Sequence, residues 1–220
     1  MPGELVIFCD IDRTQNIAPP SVKTTFSLLR GGLDVPPPDQ VLQEARFKGR
    51  VLGGLNLAWH WIRPFTKDSR LGLEILRQAA YETDRKVRLA VLSGRDPGLH
   101  QMTLGRLRGS GRMKYFNKEV YLSTVNSSSG FKEFKGDEEL QKGNSVVLIE
   151  DDLAAALRFG RLRERCEDGQ NVLVLLLSNI SNHPWLLRRA HIELPDNVYL
   201  MPSFKQGAHR LATMIREGTI

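Results

Sequence analysis

Short, almost wholly apolar runs recur along the chain, each closed by a residue type that ends a strand. The first is Leu5-Val6-Ile7-Phe8-Cys9, which runs directly into Asp10-Ile11-Asp12. Runs of this length without polar alternation read as strands buried on both faces, the habit of parallel sheets. Val87–Leu92, Ser145–Ile149 and Val172–Leu177 repeat the pattern, and Val120–Leu122 and Val198–Met201 are shorter versions. Between them the apolar spacing changes to that of helices. Leu71, Ile75 and Ala79 predict a helix from Ser69 to about Thr83, capped by Asp68. Asp96-Pro97 opens another, with proline in its favoured first turn. Phe131–Gln141, Leu153–Cys166, Pro184–His191 and Phe204–Glu217 complete the set, with Gly136 a weak point of the first of these.

Strands alternating with helices predict an α/β fold, a three-layer Rossmann-like sandwich around a mostly parallel sheet. The length of 220 residues suits one domain spanning 1–220. Residues 15–67 break the alternation with Pro19-Pro20, Pro36-Pro37-Pro38, a glycine-rich stretch, Trp59 and Trp61. A long irregular segment of this kind reads as an insertion or small cap over the carboxyl edge of the sheet.

Composition narrows the setting. Two cysteines, Cys9 and Cys166, give no disulfide framework and point to a reducing compartment. The N-terminal apolar run lacks a basic leader and is too short to span a bilayer, so a cytoplasmic protein with no membrane partner is expected. The net charge of +6 either draws polyanions, nucleic acid above all, or simply aids solubility. Arg106, Arg108, Arg112, Lys114 and Arg158, Arg161, Arg163, Arg165 either line a phosphate track or form solvated helix faces. Nothing in the pattern specifies an oligomer.

Candidate chemistry gathers where strands end. Asp10 and Asp12 follow the first strand, and alternation sets both carboxylates on one side. Ligands of doubly wound sheets bind outside the carboxyl ends of the strands. Ser93-Gly94-Arg95 closes the second strand, Lys132 begins a later helix, and Glu150-Asp151-Asp152 closes the Ser145–Ile149 strand. Taken singly, each has a plain structural use: a turn, a surface lysine, a helix cap. Their shared topological position argues for a common site.

With these residues the chain resembles the haloacid dehalogenase-like superfamily of phosphohydrolases. Asp10-Ile11-Asp12-Arg13-Thr14 matches its first motif, Val91-Leu92-Ser93 its second, a helix-opening lysine its third, and Leu148-Ile149-Glu150-Asp151-Asp152 its acidic fourth. The resemblance implies Mg²⁺-dependent phosphomonoester hydrolysis through an aspartyl-phosphate. Asp10 would be the nucleophile and Asp12 the acid and base. Ser93 and Gly94 would hold a phosphoryl oxygen together with Lys132, for which Lys135 is the alternative. Asp10, Asp12, Asp151 and Asp152 would bind the metal, with Glu150 a weaker candidate. Arg13, Thr14 and Arg95 are expected substrate contacts. Arg13 stands where the family often has glycine, and Gln15 where it usually has an apolar residue.

A fainter resemblance joins Ala18-Pro19-Pro20, Asn56–Trp61, Leu92–Arg95 and Phe131-Lys132 to the corresponding domain of Swiss Army Knife RNA-repair proteins. It implies a nucleic-acid terminal phosphate as substrate. Two other readings share the pattern. One is a phosphatase of small metabolites or phosphoproteins. The other is a catalytically inactive binding module, which Arg13 and Gln15-Asn16 would suit.

Overall fold

The computed structural model describes residues 3–11, 14, 29–30, 65–95, 97–123 and 128–220. The expected insertion at 15–67, with Trp59 and Trp61, lies almost wholly outside them, as do Asp12, Arg13 and Asp96.

Six strands form one sheet: β1 (Leu5–Cys9), β2 (Val87–Ser93), β3 (Val120–Leu122), β4 (Ser145–Glu150), β5 (Val172–Leu177) and β6 (Val198–Met201). Their order is β3-β2-β1-β4-β5-β6, and every pairing is parallel, where the sequence predicted only a mostly parallel sheet. The chain steps outward from β1 to β3, then returns to the other side of β1 for β4. The crevice at that reversal opens between the carboxyl ends of β1 and β4, the strands that carry Asp10 and Asp151.

Both faces of the sheet are covered, which explains the unbroken apolar runs. Leu5, Ile7 and Cys9 pack on one face against helices α1 (Lys67–Tyr81) and α6 (Phe204–Arg216), with Leu107 of α2 (His100–Gly109) beside them. Val6 and Phe8 pack on the other against α3 (Ser128–Leu140), α4 (Leu153–Gly160) and α5 (Pro184–Arg189). The layers are those predicted, and the differences lie at helix ends.

Helix α1 begins two residues early because Thr66, not Asp68, is its cap: the Thr66 hydroxyl accepts the Ser69 N–H at 3.1 Å. Asp68 serves the neighbouring helix, accepting the backbone N–H of Lys205 in the first turn of α6 at 3.0 Å. A carboxylate is favoured at that helix end by the dipole. Helix α4 stops at Gly160 and continues to Arg165 only as a 3-10 turn. Of the two arginine clusters, Arg158 is buried against Glu133, and Arg112 is buried between Thr66, Ser69 and the Phe65 ring. Those two arginines are not part of a solvated track.

Gly136 stays inside α3 because α4 and the 3-10 turn after it pack too closely for a side chain. A Cβ there would lie 2.6 Å from Leu162 Cδ1 and 2.6 Å from Phe159 Cε2. Gly136→Ala should therefore lose about 1–3 kcal/mol to overpacking, more than the roughly 1 kcal/mol that alanine gains in helix propensity. Urea unfolding checks the sign; a stabilised variant would contradict this close packing.

Candidate active site

Strand alternation decides which acidic side chains meet. Asp10 continues the parity of Val6 and Phe8, and its N–H extends the parallel ladder to the Ile149 carbonyl at 3.1 Å. Glu150 continues the parity of Val146 and Leu148 on the same face. Helix α3 covers that face and supplies Lys132. Its ammonium lies 3.1 Å from Asp10 Oδ1 and contacts Glu150 Oε2. Lys132 is the fifth residue of α3 and sits one turn inside it, because the helix starts at Ser128 and not near Phe131 as predicted. Of the two lysines considered, Lys132 is the one brought to Asp10. Lys135 pairs with Glu138 at 2.5 Å and lies over the Tyr121 ring.

Asp151 is set from several sides. Its Oδ1 accepts the Thr14 hydroxyl at 3.4 Å, which is the contact the structure gives to Thr14. Asn179 Nδ2 donates to the Asp151 carbonyl at 2.9 Å and to Oδ2 at 3.3 Å. Asn182, fully buried, donates to the same carbonyl at 2.9 Å and to Leu177 O. Sequence reasoning missed these two asparagines. The signal was available in Ser178-Asn179-Ile180-Ser181-Asn182, a polar loop directly after the most apolar strand.

Asp152 caps the next helix, α4: its Oδ1 accepts the Ala155 N–H at 2.9 Å. Among the described residues the acidic group able to hold a metal is Asp10, Glu150 and Asp151, with carboxylate oxygens within 4.8 Å of one another. Glu150, the weaker sequence candidate, belongs to this group, and Asp152 does not.

Ser93 ends β2 with its hydroxyl buried and without a hydrogen-bond partner among the described residues. Such a group costs free energy unless something at the site accepts its proton. Gly94 is required sterically, because a Cβ there would lie 1.9 Å from Ser128 Oγ and 2.5 Å from Ser128 Cβ. Arg95 is buried, with Nη1 donating to Thr103 Oγ1 at 3.2 Å.

The electrostatics are those of a buried, crowded acid cluster. Desolvation pulls the Lys132 ammonium down, but Asp10 and Glu150 outweigh it and the net effect is a rise. Burial pushes the Glu150 carboxyl up while Lys132 pulls it back. Three carboxylates against one ammonium leave a formal excess of two negative charges. The Cys9 thiol, buried beside Asp10, is pushed up by desolvation and then by that charge. A thiol of this kind resists alkylation. In the native protein Ellman's reagent should find at most one reactive thiol, the half-buried Cys166, and both after denaturation. Two fast thiols in the native state would contradict the buried β1.

No family model matches the chain, and no curated protein matches it. Two solved structures do match in shape. One is a haloacid dehalogenase-like family hydrolase from Streptococcus pneumoniae, 12% identical, covering 96% of this chain and 100% of that one, with a TM-score of 0.53. The other is a haloacid dehalogenase-like hydrolase from Burkholderia xenovorans, 14% identical, covering all of both chains, with a TM-score of 0.52. The fold is haloacid dehalogenase-like. In this fold Asp10, Lys132 and Asp151 occupy the switch-point crevice where the motifs predicted them. Among the described residues no helix is long and apolar enough to cross a membrane.

Proposed function

We propose that the protein is a Mg²⁺-dependent phosphomonoesterase with Asp10 as its nucleophile. The observation that carries this is the meeting of Asp10, Lys132 and Asp151 at the carboxyl ends of β1 and β4, with a Ser93 hydroxyl closing β2 that has no partner among the described residues. The donors fit Mg²⁺: Asp10 and Asp151 offer carboxylate oxygens within 4.8 Å of one another, the hard oxygen ligands this ion takes. Asp10 and Asp151 would hold it, with Asp12 from the first motif. When bound, the ion offsets the repulsion between a carboxylate and a phosphate dianion.

The residues divide the remaining work. An Asp10 oxygen forms a bond to phosphorus as the phosphorus–leaving-group bond breaks, and Asp12 gives the leaving oxygen its proton. The Lys132 ammonium neutralises charge on the phosphoryl group, and the Ser93 hydroxyl donates to one of its oxygens. Asp12 then takes a proton from water as that water attacks phosphorus. The Asp10–phosphorus bond breaks, releasing inorganic phosphate and returning Asp10 to a carboxylate and Asp12 to the protonated acid that began the cycle.

The net charge of +6 favours a polyanionic substrate, and a nucleic-acid terminal phosphate is the one we infer. The segment Ser178–His191, anchored to Asp151 by its two asparagines, supports this. It contains no Asp or Glu, carries Arg188 and Arg189, and exposes Ile180 and Trp185, with Arg189 5.5 Å over the Trp185 ring. Exposed aromatics beside arginine suit base stacking. Hydrolysis of 5′- and 3′-phosphorylated oligonucleotides is compared with that of an aryl phosphate, sugar phosphates and a phosphopeptide, each with Mg²⁺. Higher kcat/KM on oligonucleotides is expected, falling with salt. Equal or better use of small esters or of the phosphopeptide would assign the substrate elsewhere, and no turnover of any ester would leave a binding module.

A further inference from the structure

We propose that Glu150 is a positioning residue, holding the Lys132 ammonium at Asp10 and the turn that carries Asp151, and that it is not a metal ligand. Its consequence for phosphoryl binding rests on the phosphomonoesterase reading; its geometry does not.

Glu150 is the last residue of β4 and fully buried. Its Oε1 accepts two backbone N–H groups, those of Asp151 and Asp152, each at 3.1 Å. Its Oε2 contacts the Lys132 ammonium, whose second carboxylate is Asp10 at 3.1 Å. A carboxylate has about four acceptor positions, and protein groups fill three of these. Nearness of Glu150 to Asp10 and Asp151 therefore follows from sharing Lys132 and one turn, without a cation.

The position solves a physical problem. An ammonium paired with Asp10 alone would be free to collapse onto the nucleophile. Drawn by two carboxylates on adjacent strands, it is held between them and faces whatever binds at Asp10. The two amide bonds meanwhile fix the peptide turn from which Asp151 projects and Asp152 caps α4.

The test is a cycle of Glu150→Gln, Lys132→Met and the double variant. Glutamine can still accept the two amide N–H bonds but no longer carries the charge that holds Lys132. Calorimetry should find Mg²⁺ affinity within about threefold of wild type in Glu150→Gln, with inorganic phosphate binding weakened about tenfold or more. In the Lys132→Met background the same change should alter phosphate affinity by less than about twofold. A loss of Mg²⁺ affinity beyond about tenfold makes Glu150 a ligand, and equal losses in both backgrounds break its link to Lys132. Either result overturns the proposal.

A wild-type protein that binds neither Mg²⁺ nor phosphate ends the phosphatase reading. The urea midpoints of the same four proteins then decide. A double variant that loses less than the sum of the single losses supports the coupling, and additive losses overturn it. If Glu150→Gln does not fold alone, recovery of folding in the double variant supports the coupling, and continued failure overturns it.

Discussion

Replacing Asp10 with asparagine is expected to lower kcat on an aryl phosphate by at least about 10³-fold while leaving the fold intact. The substitution is nearly isosteric and keeps the N–H bond from residue 10 to the Ile149 carbonyl. What it removes is the oxygen proposed as nucleophile and one of three carboxylates crowded within 4.8 Å. Like charges at that separation repel, and Lys132 keeps Glu150 as its partner. The thermal midpoint of Asp10→Asn should therefore equal or exceed that of wild type, and its rise on adding Mg²⁺ should be smaller. Loss of activity with loss of folding would make Asp10 a structural acid. Retained activity would place the nucleophile elsewhere.

Lys132→Met should be the most destabilising single change at the site. Methionine fills similar space but leaves Glu150 and Asp10 buried without their cation. Breaking a buried pair by removing one member costs about 3–5 kcal/mol, because the remaining charge is uncompensated. The two amide bonds to Glu150 Oε1 recover only part of this. Since the missing charge is positive, Mg²⁺ should restore stability more in this variant than in wild type. Urea unfolding with and without Mg²⁺ measures both effects. A variant as stable as wild type, with no added response to Mg²⁺, would show that Lys132 does not neutralise the cluster.

Much of this was legible in the sequence, for a physical reason. A strand buried on both faces must be apolar throughout, so Leu5–Cys9 and Val172–Leu177 announce themselves and their exits. Asp10, Ser93 and Asp151 could be picked out because they stand where β1, β2 and β4 end. Helix starts were less legible. Thr66 and Asp68 are both good caps, and only the approach of α6 shows that Asp68 serves another helix. Ser128-Ser129-Gly130 looks like loop, yet it forms the first turn of α3 and moves Lys132 inward.

The separate contacts of Glu150 and Asp152 were not legible, because neighbouring acids look alike in a string of letters. Counting parity from Val146 and Leu148 would have turned Glu150 toward α3, and the apolar helix after Asp152 would have marked that residue as a cap. Asn179 and Asn182 act through a backbone carbonyl, a contact that depends on how β5 exits beside β4.

The most direct measurement is acid-quenched peptide mapping during turnover of an aryl phosphate with Mg²⁺. The peptide containing Asp10 should carry one phosphoryl group on that carboxylate in the wild-type protein and none in Asp10→Asn. Steady hydrolysis with no phosphorylated Asp10, at a rate that Asp10→Asn retains, would contradict the account.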